Sequence, residues 1–140
     1  MSTNHDGSYG RSNSLVRADE DTYILSYNGS SNYGRVQTFT IPPDGSSITE
    51  VANAAFSDNS YSYWNSMIQI DHDTYVNAGY SYNTSGANGY YGVLETFTIP
   101  LDGSSITSVA TLKYTDQNLG THNKLFKLYD SEFLLAYEGK

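Results

Sequence analysis

The segment Thr38–Thr49, TFTIPPDGSSIT, returns as TFTIPLDGSSIT at Thr96–Thr107, with Pro43 replaced by Leu101 as the single change. Identity over this length is far beyond chance in a chain of 140 residues. An internal repeat of this kind must be recognised first, because it governs every later assignment of the fold. The sequence therefore predicts a duplicated structural unit.

The register of the repeat extends over most of the chain. Asn13, Asn65 and Asn123 each open a similar run, NSLV, NSMI and NKLF, and they are spaced by 52 and 58 residues. The additional residues of the second period lie between Ser81 and Gly92. We place repeat 1 at about residues 13–64, repeat 2 at about 65–122 and a half repeat at about 123–140.

Each full period contains four short runs of β-branched and aromatic residues, separated by Gly, Asp, Asn, Pro and Ser. No window has helical periodicity. The second run of each period is almost continuously apolar, which predicts burial on both faces of that strand. The predicted strands are about Ser14–Ala18, Tyr23–Tyr27, Arg35–Ile41, Ile48–Phe56, Ser66–Ile70, Tyr75–Gly79, Val93–Ile99, Ile106–Tyr114, Lys124–Leu128 and Phe133–Tyr137.

Four strands in a period of about 50 residues resemble a blade of the β-propeller family, in which kelch-type repeats have a similar length. The resemblance rests on period, strand order and turn placement, and it covers nearly the whole chain. It implies a single all-β domain over residues 1–140, built from four-stranded antiparallel blades. A duplicated β-sandwich or barrel is the alternative, because it also consists of short strands with regular turns.

The number of predicted strands amounts to two and a half blades, whereas closed propellers typically have about four to eight. The resemblance therefore implies either a ring completed by association of several copies or a truncated piece of a longer protein. Both possibilities leave apolar blade faces uncovered and predict self-association. The expected partner is a second copy of the chain.

Composition narrows the other partners. Seven Lys and Arg against fifteen Asp and Glu give a formal net charge of -8, which disfavours nucleic acid and anionic membrane surfaces. The chain has no Cys, no apolar run long enough to span a membrane and no visible export signal. Its location stays open, although the abundance of Asp, Tyr, Ser, Asn and Gly is compatible with an extracellular setting.

In propellers, the loops from fourth to first strand share one face of the disc with those from second to third. The resemblance thus brings together residues 6–12, 28–34, 58–64, 80–92 and 116–122, which are rich in Tyr and in short polar residues. Such surfaces suit sugars or a partner protein. The candidate ligand-binding residues are Tyr9, Arg11, Asn28, Tyr33, Asp58, Tyr61, Tyr63, Trp64, Tyr80, Tyr82, Tyr90, Tyr91, Asp116 and His122.

The sequence favours binding over catalysis. None of the three histidines has Ser or carboxylate partners in a nucleophilic arrangement, and no cofactor or metal site is expected. We therefore expect a non-catalytic, lectin-like binding or scaffold module. The alternatives are a self-assembling structural protein without a small ligand, a fragment of a propeller hydrolase whose catalytic residues lie elsewhere, and loops that are Tyr- and Asn-rich for conformational reasons alone.

Overall fold

The computed structural model describes residues 10–30, 33–56, 61–83, 89–115, 120–129 and 132–139. These residues form an all-β structure without an α-helix. No helix in this part of the chain is long and apolar enough to cross a membrane. The strands are β1 Arg11–Arg17, β2 Thr22–Asn28, β3 Gly34–Thr40, β4 Thr49–Ala55, β5 Tyr61–Gln69, β6 Thr74–Asn83, β7 Gly89–Thr98, β8 Thr107–Lys113, β9 Thr121–Tyr129 and β10 Glu132–Glu138.

The strands form three antiparallel sheets in chain order. Sheet 1 contains β1–β4, sheet 2 contains β5–β8, and sheet 3 contains β9 and β10. This confirms the ten predicted strands and the repeat of four-stranded antiparallel units. The first strands begin earlier than predicted, because the ladder between first and second strands continues across a bulge towards its N-terminal end.

The repeated segment forms the same hairpin in both full sheets. Gly45 N donates to Pro42 O and Gly103 N donates to Pro100 O, both at 2.8 Å. Both glycines have positive φ, which side chains disfavour, so Asp-Gly supplies the turn as predicted. In each turn the Asp carboxylate accepts the N–H of the Ser two residues later, at 3.0 Å.

Sheets 1 and 2 pack face to face around one hydrophobic cluster. Sheet 1 contributes Ile24 and Val36, and sheet 2 contributes Tyr75 and Phe97, all with no exposed surface. Phe56, at the end of β4, lies with its ring 5.7 Å from that of Phe97. Burial of this many apolar side chains is the main source of stability between the two repeats.

The other face of sheet 2 packs on sheet 3. Val76 and Ala78 of β6 contact Leu125 of β9, and Phe133 and Leu135 of β10 pack against them. The second strand of sheet 2, β6, is thus covered on both faces, and it is buried continuously from Tyr75 to Ser81 as its apolar sequence predicts. The same prediction is wrong for the other two second strands. β2 alternates between buried and half-buried residues from Thr22 to Ser26, and β10 has no buried residue, because nothing among the described residues covers the face of sheet 1 that lies away from sheet 2 or the outer face of sheet 3.

The first strands of successive sheets lie next to one another and are joined by a repeated hydrogen bond. Met67 N in β5 donates to Ser14 Oγ in β1 at 2.9 Å, and Leu125 N in β9 donates to Ser66 Oγ in β5 at 3.0 Å. The sheets therefore stack through equivalent positions of their first strands, in the order sheet 1, sheet 2, sheet 3.

Candidate functional site

Each first strand contains a residue in the left-handed conformation at the same repeat position. The residues are Ser12, Trp64 and His122, with φ of 55°, 52° and 52°. The ladder to the second strand shifts register there in all three sheets, as in a β-bulge. A non-glycine residue in this conformation costs about 1–2 kcal/mol, and such strain is concentrated at functional positions. The bulge therefore marks the start of a candidate site.

Aromatic rings surround Trp64 of sheet 2. Its ring centroid lies 5.3 Å from that of Tyr80 in an edge-to-face contact, 5.9 Å from that of Tyr63, and 5.0 Å from His122 of sheet 3. Tyr90 stacks on Tyr80 at 5.0 Å and is followed by Tyr82 at 4.6 Å. We call this group the aromatic surface, and its members are Tyr63, Trp64, Tyr80, Tyr82, Tyr90 and His122.

The residues inserted in the second period extend the hairpin between β6 and β7. The pairing of these strands continues to Asn83 and Gly89, whereas the corresponding pairing in sheet 1 ends at Asn28 and Gly34. The loop predicted for residues 80–92 is therefore largely strand. Alternating Tyr and Ser at residues 80–82 favour a strand, which places Tyr82 and Tyr90 as direct cross-strand partners.

The aromatic surface combines a buried ring with exposed ones. Tyr80 is 7% exposed and Trp64 is 36% exposed, so Tyr80 supports rings that solvent reaches. Burial, together with the neighbouring Tyr90, raises the pKa of the Tyr80 hydroxyl and keeps it neutral. Tyr80 therefore supports the neighbouring Trp64 and Tyr90 rings as a neutral phenol.

A polar group borders the rings on the side of sheet 3. His122 Nδ1 lies 2.6 Å from Glu138 Oε2, and the Thr121 hydroxyl donates to the same carboxylate oxygen at 3.0 Å. Hydrogen bonds from Thr121 and His122 lower the pKa of Glu138, which stays ionised at neutral pH. Both His122 and Glu138 are 63% exposed at their side chains, so a ligand on the rings can reach them.

Buried polar side chains fix the strand that carries Trp64. Asn65 Oδ1 accepts hydrogen bonds from Ser62 Oγ at 2.6 Å and from Asn77 Nδ2 at 3.2 Å. Ser26 of sheet 1 donates to Asn77 Oδ1 at 2.9 Å, and Asn28 donates to the Ser62 carbonyl at 2.8 Å. The residues on either side of the bulge are thereby tied to both sheets, which holds the Trp64 ring in one place.

The structure brings together six of the predicted site residues, those of the aromatic surface. Asn28 has no exposed surface and cannot touch a ligand, so its role here is to bind the Ser62 carbonyl. Arg11 lies in β1 and Tyr33 directly before β3, and Tyr91 lies under the ammonium group of Lys113 at 4.8 Å, so these three are not part of the aromatic surface. Tyr9, Asp58, Asp116 and the side chain of Tyr61 lie outside the described residues.

Sequence reasoning missed Thr121 and Glu138. The signal was present, because Glu138 occupies the repeat position of Asn28 and Tyr80, which were both predicted. Alignment of the half repeat with the two full repeats would have identified Glu138 as a site residue. No group of three or more His, Asp or Glu able to hold a metal ion occurs within the described ranges.

Comparison with known proteins adds no assignment. No protein-family model matches the chain, and no curated protein is detectably similar to it. The function is therefore argued from the geometry of the site.

Proposed function

We propose that this protein is a non-catalytic, lectin-like module that binds carbohydrate at the aromatic surface. The observation that carries the proposal is the contiguous group of rings around the exposed Trp64, next to the exposed Glu138 carboxylate. Sugars present apolar ring faces and hydroxyl edges, and they stack on aromatic side chains while polar groups bind the hydroxyls. The site offers both kinds of contact side by side.

The chemistry of the rim narrows the class of sugar. The ionised Glu138 and the net charge of -8 repel sulfated and other polyanionic glycans. Glu138 accepts hydrogen bonds from hydroxyl groups, and Thr121 and His122 orient its carboxylate. We therefore propose neutral hexoses and their oligomers as the ligand class, with the flat face of one residue on Trp64.

The scaffold that we propose for this site is of β-propeller type. Support comes from four-stranded antiparallel units whose first strands lie side by side and are joined through Ser14 and Ser66. In such a fold the ring is completed by further units, and the bulge position recurs once per unit. Repeated weak sites would then combine through multivalency.

The proposal is tested by sugar binding to variants with an intact fold. Trp64 is the single Trp of the chain, so titration of the wild-type protein with neutral oligosaccharides is followed by its fluorescence. Trp64→Ser introduces the residue that sheet 1 has at this position, Ser12, and Tyr90→Ala removes a stacked ring but keeps the fluorophore. Each variant is expected to weaken binding about tenfold or more, measured by calorimetry.

The matched control is Tyr129→Ser, which removes an aromatic ring that is 74% exposed and lies outside the aromatic surface. This variant should bind sugar like the wild type. Absence of binding to every sugar on a glycan array, or equal affinity of Trp64→Ser and wild type, overturns the proposal. If Trp64→Ser instead dissociates an oligomer, the surface serves assembly and the protein is a scaffold.

A further inference from the structure

One face of sheet 1 exposes an apolar side chain that the other two sheets bury. Leu15, Met67 and Leu125 occupy the same repeat position in β1, β5 and β9. Leu15 is 60% exposed, whereas Met67 is 4% and Leu125 is 3% exposed. Met67 is covered by sheet 1 and Leu125 by sheet 2, whereas no sheet in the described part of the chain lies in front of Leu15 to cover it in the same way.

The outer face of sheet 3 also exposes an apolar side chain that the other two sheets bury. Leu134 in β10 is 51% exposed, while its equivalents Ile24 and Val76 are 0% and 1% exposed. Its cross-strand partner Phe126 is 48% exposed, and Leu128 on the same strand is 54% exposed. Ile24 and Val76 are covered by the sheet that follows each of them, and sheet 3 has no such neighbour among the described residues.

The two uncovered faces are the two kinds of face that pack against each other inside the chain. We define the front face of a sheet by Leu15 or its equivalents Met67 and Leu125, and the back face by Leu134 or its equivalents Ile24 and Val76. Inside the chain, a back face packs on the front face of the next sheet twice, between sheets 1 and 2 and between sheets 2 and 3. Within the residues that the structure describes, one front face, on sheet 1, and one back face, on sheet 3, are thus left uncovered. We call them the free front face and the free back face.

We infer that the free back face of sheet 3 binds the free front face of sheet 1 in a second copy of this chain. The two internal interfaces provide the template, because they join equivalent positions of the same repeat. The inference rests on the stacked scaffold proposed above and does not depend on the sugar ligand. Since the two faces differ, the contact is heterologous, and it forms a ring or an open array according to whether the rotation closes.

Lys124 differs from its equivalents Ser14 and Ser66, and its replacement by serine is a variant for which stronger association is expected. Inside the chain, Ser14 Oγ and Ser66 Oγ accept the N–H of the next first strand. The equivalent residue of sheet 3 is Lys124, whose ammonium group cannot accept a hydrogen bond. At the contact between copies, Lys124 would lie opposite the backbone N–H of Leu15 and could not accept its hydrogen bond as a serine does. Lys124→Ser supplies this acceptor and should therefore increase the affinity of self-association several-fold.

Two variants remove one face each. Leu15→Asp places a carboxylate on the front face, and Leu134→Asp places one on the back face. Both positions are more than half exposed, so each variant should keep the sheets, as monitored by circular dichroism. Sedimentation equilibrium across the micromolar range is expected to show concentration-dependent association of the wild type and at least about tenfold weaker association of each variant.

Mixing the two variants tests the head-to-tail geometry. Leu15→Asp keeps an intact back face and Leu134→Asp keeps an intact front face, so one contact between them can form. The mixture should give a 1:1 complex that grows no further, while the double variant stays at the 15.5 kDa of the single chain. Pairing of free β10 edges would instead be insensitive to both substitutions.

The control is Val109→Asp, at a residue that is 62% exposed on β8 and belongs to neither free face. It should associate like the wild type. A wild-type protein that stays at 15.5 kDa at every concentration, or variants whose mixture forms no complex, overturns the inference. Sugar binding by the monomeric double variant would then show that the aromatic surface functions without the interface, which separates failure of one proposal from failure of the other.

Discussion

Sheets 1 and 2 fold alike but carry different side chains at the bulge. Both hairpins are built on the same TFTIP and DGSSIT residues, and both first strands turn through a left-handed residue. Sheet 1 has Ser12 and Asn28 where sheet 2 has Trp64 and Tyr80. Because the backbone adopts the same conformation with Ser as with Trp, the fold does not require the aromatic ring. The proposed binding function gives the ring a role, and sheet 1 is the internal reference for testing it.

The two repeats also differ in how much of their shared sequence is buried. Phe97 of sheet 2 has no exposed surface, because sheet 1 covers it. Phe39 occupies the same place in the same TFTIP segment, but it is half-buried on the front face of sheet 1. The same sequence is thus buried to different extents in the two sheets. Substitution of both phenylalanines compares how much each one contributes to the free energy of unfolding.

The largest expected effect is at this phenylalanine pair. Phe97→Ala removes a fully buried ring from the contact between sheets 1 and 2 and should lower the free energy of unfolding by about 3–5 kcal/mol. Phe39→Ala should cost less than half of that, about 1–2 kcal/mol, since solvent already reaches its ring. Urea unfolding of dilute protein measures both values.

The comparison fails if the two substitutions cost the same. Equal costs in dilute protein would mean that the front face of sheet 1 is covered as well as that of sheet 2. A rise in the cost of Phe39→Ala with protein concentration would instead agree with a second copy docking on that face, because binding to the folded state adds stability by mass action.

Much of the architecture could be predicted from the sequence, because each strand has an equivalent in the other period and the two assignments can be compared. Strand order, the Asp-Gly turns and the positions of ten strands are all visible in period, β-propensity and turn residues. The least accurate prediction concerned the second strands. Their apolar composition predicts burial on both faces. β6 is buried in this way, whereas β2 is half-buried at Tyr23 and Leu25 and β10 has no buried residue. Sequence encodes the tendency to be buried, whereas the neighbouring sheet decides whether burial occurs.

The site was predictable in its aromatic members and less so in its geometry. The excess of Tyr and the single Trp indicated the surface. The extension of β6 and β7 was not predicted, because residues inserted between two paired strands are equally compatible with a longer loop and with longer strands. The left-handed φ at Trp64 has no signal in the sequence, since Trp does not favour this conformation, and at His122 the only signal is the modest enrichment of His among left-handed residues. The partnership of His122 with Glu138 depends on a bulge that only the three-dimensional structure reveals.

A smaller effect is expected from Tyr75, whose counterpart in repeat 1 is the half-buried Tyr23. Burial, with the nearby charges of Asp73 and Asp19, raises the pKa of Tyr75 to about 12. A raised pKa means that the folded protein holds the proton more tightly than the unfolded chain. The resulting stability is present below pH about 10 and is lost as pH rises from about 10 to about 12.

Tyr75→Phe tests this origin of alkaline sensitivity. The variant should lose stability less steeply than the wild type in that window, by up to about 1.4 kcal/mol per pH unit. Urea unfolding at a series of pH values gives the two slopes. At neutral pH the variant lacks the hydrogen bond that Gln69 donates to the Tyr75 hydroxyl at 3.1 Å. Identical slopes for the two proteins would show that other groups cause the alkaline loss.

The smallest expected effect lies in the turn that both repeats share. Gly45 and Gly103 have φ of 65° and 68°, so an added Cβ costs about 1 kcal/mol at either position. Gly45 faces open space, but a Cβ on Gly103 would lie 3.0 Å from Thr38 Cβ and 3.1 Å from Thr22 Cγ2 of sheet 1. The turn of repeat 2 is thus an inter-sheet contact, and the turn of repeat 1 is not.

Gly103→Ala should therefore destabilise the protein by about 1 kcal/mol more than Gly45→Ala, since the crowded methyl adds to the shared conformational cost. Thermal or urea unfolding of the two variants side by side gives this difference directly. The Thr38 hydroxyl donates to the Gly103 carbonyl at 2.8 Å, so the turn cannot move away without losing that bond. Equal stability of the two variants would show that the contact between the Gly103 turn and sheet 1 adds nothing measurable to the free energy of unfolding. The joining of sheets 1 and 2 would then rest on their hydrophobic faces and on the hydrogen bonds of Ser14, Ser26 and Asn28.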